Sequence, residues 1–110
     1  MEEYTQEPIL KAGYQIGPIL TRNIIDKEMK FRREAIGGLE KIKYQPATPW
    51  LTKILYDKSE IIVIRTDAYQ ALTTFDTEET QKILIDFKNQ ATDSLDKKVV
   101  ELGEYFLKHR

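Results

Sequence analysis

From Pro18 to the end of the chain, apolar residues recur every third or fourth position, the spacing of helices that each bury one face. Wound at about 100° per residue, residues 18–43 place Leu20, Ile24, Phe31, Ala35 and Ile42 on one face. Ile25, Met29, Ile36 and Leu39 fall on the adjoining face, so this helix is expected to touch two neighbours. Pro18 suits its first turn, where a missing N–H costs nothing. Gly38 lands on the inner face, which suits either close packing of another element, the favoured reading, or a local break of the helix.

After the connector "YQPAT", the residues "TPW" (48–50) start a second helix, with Thr48 as cap and Pro49 in the first turn. It contains "DKSEIIVIRTDAYQ", the strongest apolar run in the chain, which reads in two ways. As a strand, Ile61–Ile64 would be buried on both faces and would need pairing partners, for which only "YQIGPIL" is available. As a helix, Trp50, Leu51, Ile54, Leu55, Ile61, Ile62, Ala68, Tyr69, Leu72 and Phe75 form one stripe that no Gly or Pro interrupts. The β-branched cluster opposes a helix by only about a few tenths of a kcal/mol per residue, so the periodicity prevails and a helix over 49–75 is expected.

"FDTEET" starts a third helix, with Asp76 or Thr77 as cap and Glu78 and Glu79 against the positive end of the helix dipole. Ile83, Leu84, Phe87, Ala91, Leu95, Val99, Leu102, Tyr105 and Phe106 share its inner face. The expected fold is therefore all-α: an antiparallel up-down-up three-helix bundle of long helices over 18–110, preceded by an N-terminal arm, 1–17. Pro8, Gly13 and Gly17 punctuate the arm, and Tyr4, Ile9, Leu10, Tyr14 and Ile16 make it apolar enough to dock on a neighbour.

The chain has 110 residues, enough for one domain with a core of its own. Its 17 basic and 18 acidic residues leave a net charge of −1, so no whole-chain attraction to nucleic acid or acidic membranes is expected. With no cysteine, disulfides, thiolate metal sites and thiol nucleophiles are excluded. The acidic start does not resemble a signal peptide and no run approaches the roughly 20 apolar residues of a membrane span, so a cytoplasmic location without membrane insertion is expected.

Catalytic patterns are missing. The one histidine, His109, is next to last; no phosphate-binding loop or nucleophile elbow occurs, and no Glu-x-x-His pair could face a bundle interior. No enzyme, metal site, cofactor or small-molecule substrate is expected. The segment "KEMKFRREAIGGLEKIK" looks basic, but its outer arc mixes both signs, with Asp26–Lys30 and Glu28–Arg32 at the favourable acid-first spacing.

Two features point to contact with another molecule. Lys58 and Arg65 lie in the middle of the second apolar stripe, with Arg32 and Lys98 on or near inward arcs of their own helices. A buried cation needs a partner. Lys58 and Arg65 can snorkel past the core edge, which is the favoured reading. They can also meet acids of a partner chain or an anionic ligand, or form internal ion pairs. The second feature is a thin apolar line on the outside of the third helix, Ile85, Val100 and Leu107, joined by Val63 and Tyr56 on the back of the second. The functional expectation is a non-catalytic helical protein-interaction domain: a small subunit, adaptor or self-associating component of a larger assembly. The alternative is a helical regulator that holds nucleic acid or another anionic ligand through its cations.

Overall fold

Each of the three expected long helices is cut once, and an aspartate stands at each cut. In the computed structural model, which describes residues 2–110 with side chains from Tyr14 onward, six α-helices and no strand occur among the described residues. They are α1 (Glu2–Ile25), α2 (Arg32–Ile42), α3 (Thr48–Tyr56), α4 (Ile62–Phe75), α5 (Glu78–Gln90) and α6 (Ser94–Lys108), with a short 3₁₀ turn at Gln45–Ala47 before α3. The all-α class is as expected, but the three long helices are not what forms.

The first two cuts share one cause, and the third differs from them. Asp26 Oδ1 accepts the Glu28 N–H at 2.9 Å, Asp57 Oδ1 accepts the Ser59 N–H at 2.9 Å, and Asp93 Oδ1 accepts the Asp96 N–H at 2.7 Å. At Asp26 and Asp57 the short carboxylate offers the N–H two residues on an acceptor that replaces the helical carbonyl, and the helix stops there; Asp93, three residues past the end of α5, instead caps the start of α6. The first two are reversals as well as breaks, because α2 packs back on α1 and α4 on α3. Ile61–Ile64 form no strand: Ile61 is extended and precedes α4, and Ile62 opens the helix.

The arm also differs from expectation. The backbone of α1 runs unbroken through Gly17 and Pro18, so Pro18 lies within a helix and not at its start. Met1 and the side chains of residues 2–13, including Tyr4, Ile9 and Leu10, lie outside the described residues. The third start is as read: Thr77 caps α5 in a reciprocal box with Thr80, and Glu78 and Glu79 fill its first turn.

α4 is the centre of the fold, packed against α2, α3, α5 and α6. Its Ala68, Tyr69, Ala71, Leu72 and Phe75 are buried with Ile24, Ile36, Leu39, Leu51, Leu55, Phe87 and Val99 from the surrounding helices. α6 comes close because Gly103 faces Tyr69: a methyl group there would lie 2.4 Å from the ring. Gly38 plays the expected inner role, with Leu20 of α1 3.1 Å from where its Cβ would stand. No helix among the described residues is long and apolar enough to cross a membrane.

Candidate interaction surface

The turn "DKSE" (57–60) ties the three cuts together. Lys27, beside the first cut, reaches Asp57 at 3.0 Å and Ser59 Oγ at 2.9 Å. Lys58 crosses to the third cut, bonding Asp93 and, at 2.9 Å, Asp96. Glu60 turns inward and takes a bidentate pair from Arg32, at 3.0 and 2.7 Å; Arg32 also donates to the Ile24 carbonyl. Both side chains of that pair are buried.

Arg65 lies one turn further on and is the largest fully buried side chain. It and Asp96 are each 1% exposed and meet at 2.6 Å. Arg65 Nε donates to the Leu55 carbonyl at 2.9 Å, and the guanidinium stands over the Phe87 ring at 5.9 Å. Its Nη1 has no partner among the described residues. The favoured snorkelling of Arg65 is thereby corrected: an internal carboxylate 31 residues away holds the charge inside the core. Arg65 is not available to a partner chain, whereas Lys58 remains over half exposed while paired.

These pairings set the titration of the acids. Arg32 hydrogen bonds hold Glu60 below the usual carboxylate range. Burial works to raise Asp96, but the bonds from Arg65 and Lys58 prevail and keep it low. The Ser59 hydroxyl, with Lys27 behind it, brings Asp57 down to about 2. Tyr56 packs edge-on against Phe87 and donates to Asp86; burial first, and that carboxylate second, push its phenol above the ordinary value.

The apolar line expected on the outside of the third helix does not assemble. Ile85, on α5, is exposed, but Val100 and Leu107, on α6, pack against the core. The turn at 91–93 re-aims α6, so that Val99 and Gly103 face inward while Leu95, Tyr105 and Phe106 face solvent. Val63 does stand at the surface, at the edge of a groove described below.

Exposed apolar side chains gather instead around the first two cuts. Phe31 is 73% exposed, Ile61 64% and Met29 42%, and the three line one shallow depression with Ile64 beneath. Phe31 has φ 64° and ψ 25°, in the left-handed region, where a bulky residue costs about 1 kcal/mol or more. Its neighbour Arg32 is drawn inward to Glu60, which leaves Phe31 outside at the cap position of α2 with no side-chain bond to the helix. The periodicity reading had put Phe31 and Ile61 on buried stripes. The signal that could have found them was the acidic punctuation at Asp26 and Asp57, which resets the helical phase.

Next to this depression, separated by Arg33, a groove of about 610 Å³ opens between α2, α4 and α6. Ile62, Val63, Leu102 and Phe106 supply its apolar wall, and Arg33, Asp67, Gln70 and Arg110 its polar end. Arg33 pairs with Asp67 at 2.8 Å, and Arg110 with Glu40. Burial pushes the Asp67 carboxyl above its ordinary value, against the pull of Arg33. His109 joins the rim with its ring 4.3 Å from that of Tyr105. Among the described residues, no three His, Asp or Glu side chains converge as a metal site would require. The chain has no significant match to a protein-family model, a curated protein or a solved structure.

Proposed function

We propose that this chain is a non-catalytic protein-contact domain, acting as a subunit or adaptor, whose partner seats on the Phe31, Met29 and Ile61 surface. The observation that carries this reading is Phe31: a large aromatic side chain held in a strained backbone conformation and turned to solvent. Strained conformations persist where the surrounding structure over-determines them, and they cluster at binding sites. Here Arg32, bonded bidentately to Glu60 and to the Ile24 carbonyl, supplies that determination. Aromatic anchors flanked by aliphatic side chains carry most of the energy of protein interfaces, and charged rims add register. Lys27, Arg33 and Glu34 provide such a rim. Val63 and Ile85 extend the exposed apolar area on other faces.

The test compares the native chain with Phe31→Asn. The tagged chain is recovered from its own source and its mass in solution is measured by light scattering. The expected result is a defined complex, hetero- or homomeric, that survives added salt and is lost in Phe31→Asn while the variant stays folded. Equal recovery with both chains overturns the reading. A complex that dissolves steeply with salt would point instead to a polyanion such as nucleic acid.

A further inference from the structure

We infer that the groove between α2, α4 and α6 is a binding site for a small carboxylic acid with an aromatic or branched aliphatic body. This inference is independent of the Phe31 surface. The groove has the volume of a small-ligand site, about 610 Å³, and the usual composition of one: an apolar wall with a few polar groups gathered at one end.

The polar end discriminates between ligand chemistries. Its acceptors are engaged: Asp67 takes the Arg33 Nε and Nη2 hydrogens, Glu40 takes Arg110 and the Thr74 hydroxyl, and Gln70 Oε1 faces Arg110 Nη2 at 3.5 Å. Its donors are in surplus. A guanidinium has five N–H donors in a rigid fork, and Arg33 Nη1 and Arg110 Nε have no partner among the described residues. The second observation is Gln70. This side chain is 9% exposed, borders both the groove and the adjoining hollow along α2, and its Nε2 donates to nothing among the described residues.

An amide donor that reaches the groove from an otherwise buried side chain, and two guanidinium edges, facing a space bordered on its other side by Val63, Leu102 and Phe106, call for an acceptor-bearing anion on an apolar body. A cation would meet carboxylates that are already occupied. An uncharged apolar ligand would leave the Gln70 amide unpaired as it expelled water, which disfavours it.

The test titrates the full chain with phenylbutyrate and, separately, with its neutral amide, phenylbutyramide, followed by amide-resolved NMR. Expected are saturable shifts at Val63, Thr66, Gln70 and Leu102 with a dissociation constant on the order of 1 mM for the acid. The amide should bind about 10-fold more weakly, because it loses the charge-assisted bonds. Gln70→Leu should weaken the acid several-fold and leave the amide nearly unchanged. Because Gln70 is nearly buried, the exposed Val63→Glu serves as the second variant; it keeps the fold and abolishes saturable binding of the acid. Shifts that never saturate, shifts scattered away from the groove, equal binding of acid and amide, or binding untouched by Val63→Glu would each overturn the inference.

Discussion

At the turn from Asp57 to Glu60, every charged side chain meets a partner within the chain; in the groove beside α4, hydrogen-bond donors outnumber the acceptors that reach them. Both regions draw on arginines and carboxylates of consecutive elements. At the turn, Arg32 and Glu60 are buried and matched bond for bond, and Lys58 and Arg65 converge on Asp96. In the groove, Arg33 lies on the outside of α2 and is mostly exposed, so solvent screens its pair with Asp67 and the pair adds little to stability. The difference between adjacent residues, Arg32 and Arg33, is the direction in which they leave the helix. The buried pairs Arg32–Glu60 and Arg65–Asp96 hold the fold together; the open pairs of the groove leave N–H donors at the surface that are free to bind.

The largest effect that would separate the two regions is at Asp96. Asp96→Ala leaves Arg65 buried without its carboxylate and should cost about 3–5 kcal/mol, read from urea unfolding. Replacing both partners, Arg65→Met with Asp96→Leu, should recover most of that loss, because two apolar groups leave no uncompensated charge. A loss under about 1 kcal/mol for Asp96→Ala would mean that the turn does not hold α6 to α4.

Acid should produce the next effect. Glu60 and Asp96 have native pKa values below those of the unfolded chain, about 4.3 and 3.9, so the folded state binds fewer protons in that range. Their contribution is complete above about pH 5 and is lost as pH falls through the native values. Asp67, raised by burial, works in the opposite sense: its protonated form suits the fold, and it offsets part of the acid loss. Urea midpoints measured from neutral pH down to about pH 3 should therefore fall. A midpoint that rises on acidification would break the comparison in favour of the groove.

Smaller effects come from single contacts. Gly103→Ala should destabilise by about 1–3 kcal/mol, since the added methyl meets the Tyr69 ring. Phe31→Asn should stabilise by about 1 kcal/mol, because asparagine tolerates the left-handed conformation. That gain, coupled to loss of the partner, would show an exposed side chain kept for binding at the expense of stability. Val63→Glu, at the groove edge, should change stability by less than about 0.5 kcal/mol and act on ligand binding alone.

Much of the core was legible in the sequence. Leu51, Ile54, Leu55, Ala68, Tyr69, Leu72 and Phe75 were read as one inward stripe, and all are buried. The start of α5 was legible to within one residue, Asp76 or Thr77, and close packing at Gly38 was the favoured of two readings; the structure has Thr77 as the cap and Leu20 against Gly38. The cuts were not legible from periodicity, which searches for Gly and Pro and is blind to an aspartate that competes for backbone N–H groups. Once α6 was re-aimed at 91–93, Val100 and Leu107 moved to the core side and Phe106 to the groove, so that no single outer line remained. Of the residues picked for contact, Val63 and Ile85 stand at the surface, and Arg65 does not.

By itself, the order of residues determined that this chain is helical, which side chains carry its core and where α5 begins, because helix propensity, capping and amphipathic spacing act over a few neighbouring positions. Tertiary structure decided which aspartates stand at the breaks between helices and which cations are held inside. Asp57 and Asp93 are fastened by Lys27 and Lys58 from other segments, and Arg65 is neutralised by an acid 31 positions away. Interactions between distant segments depend on how the helices come together, and a local pattern does not encode that meeting.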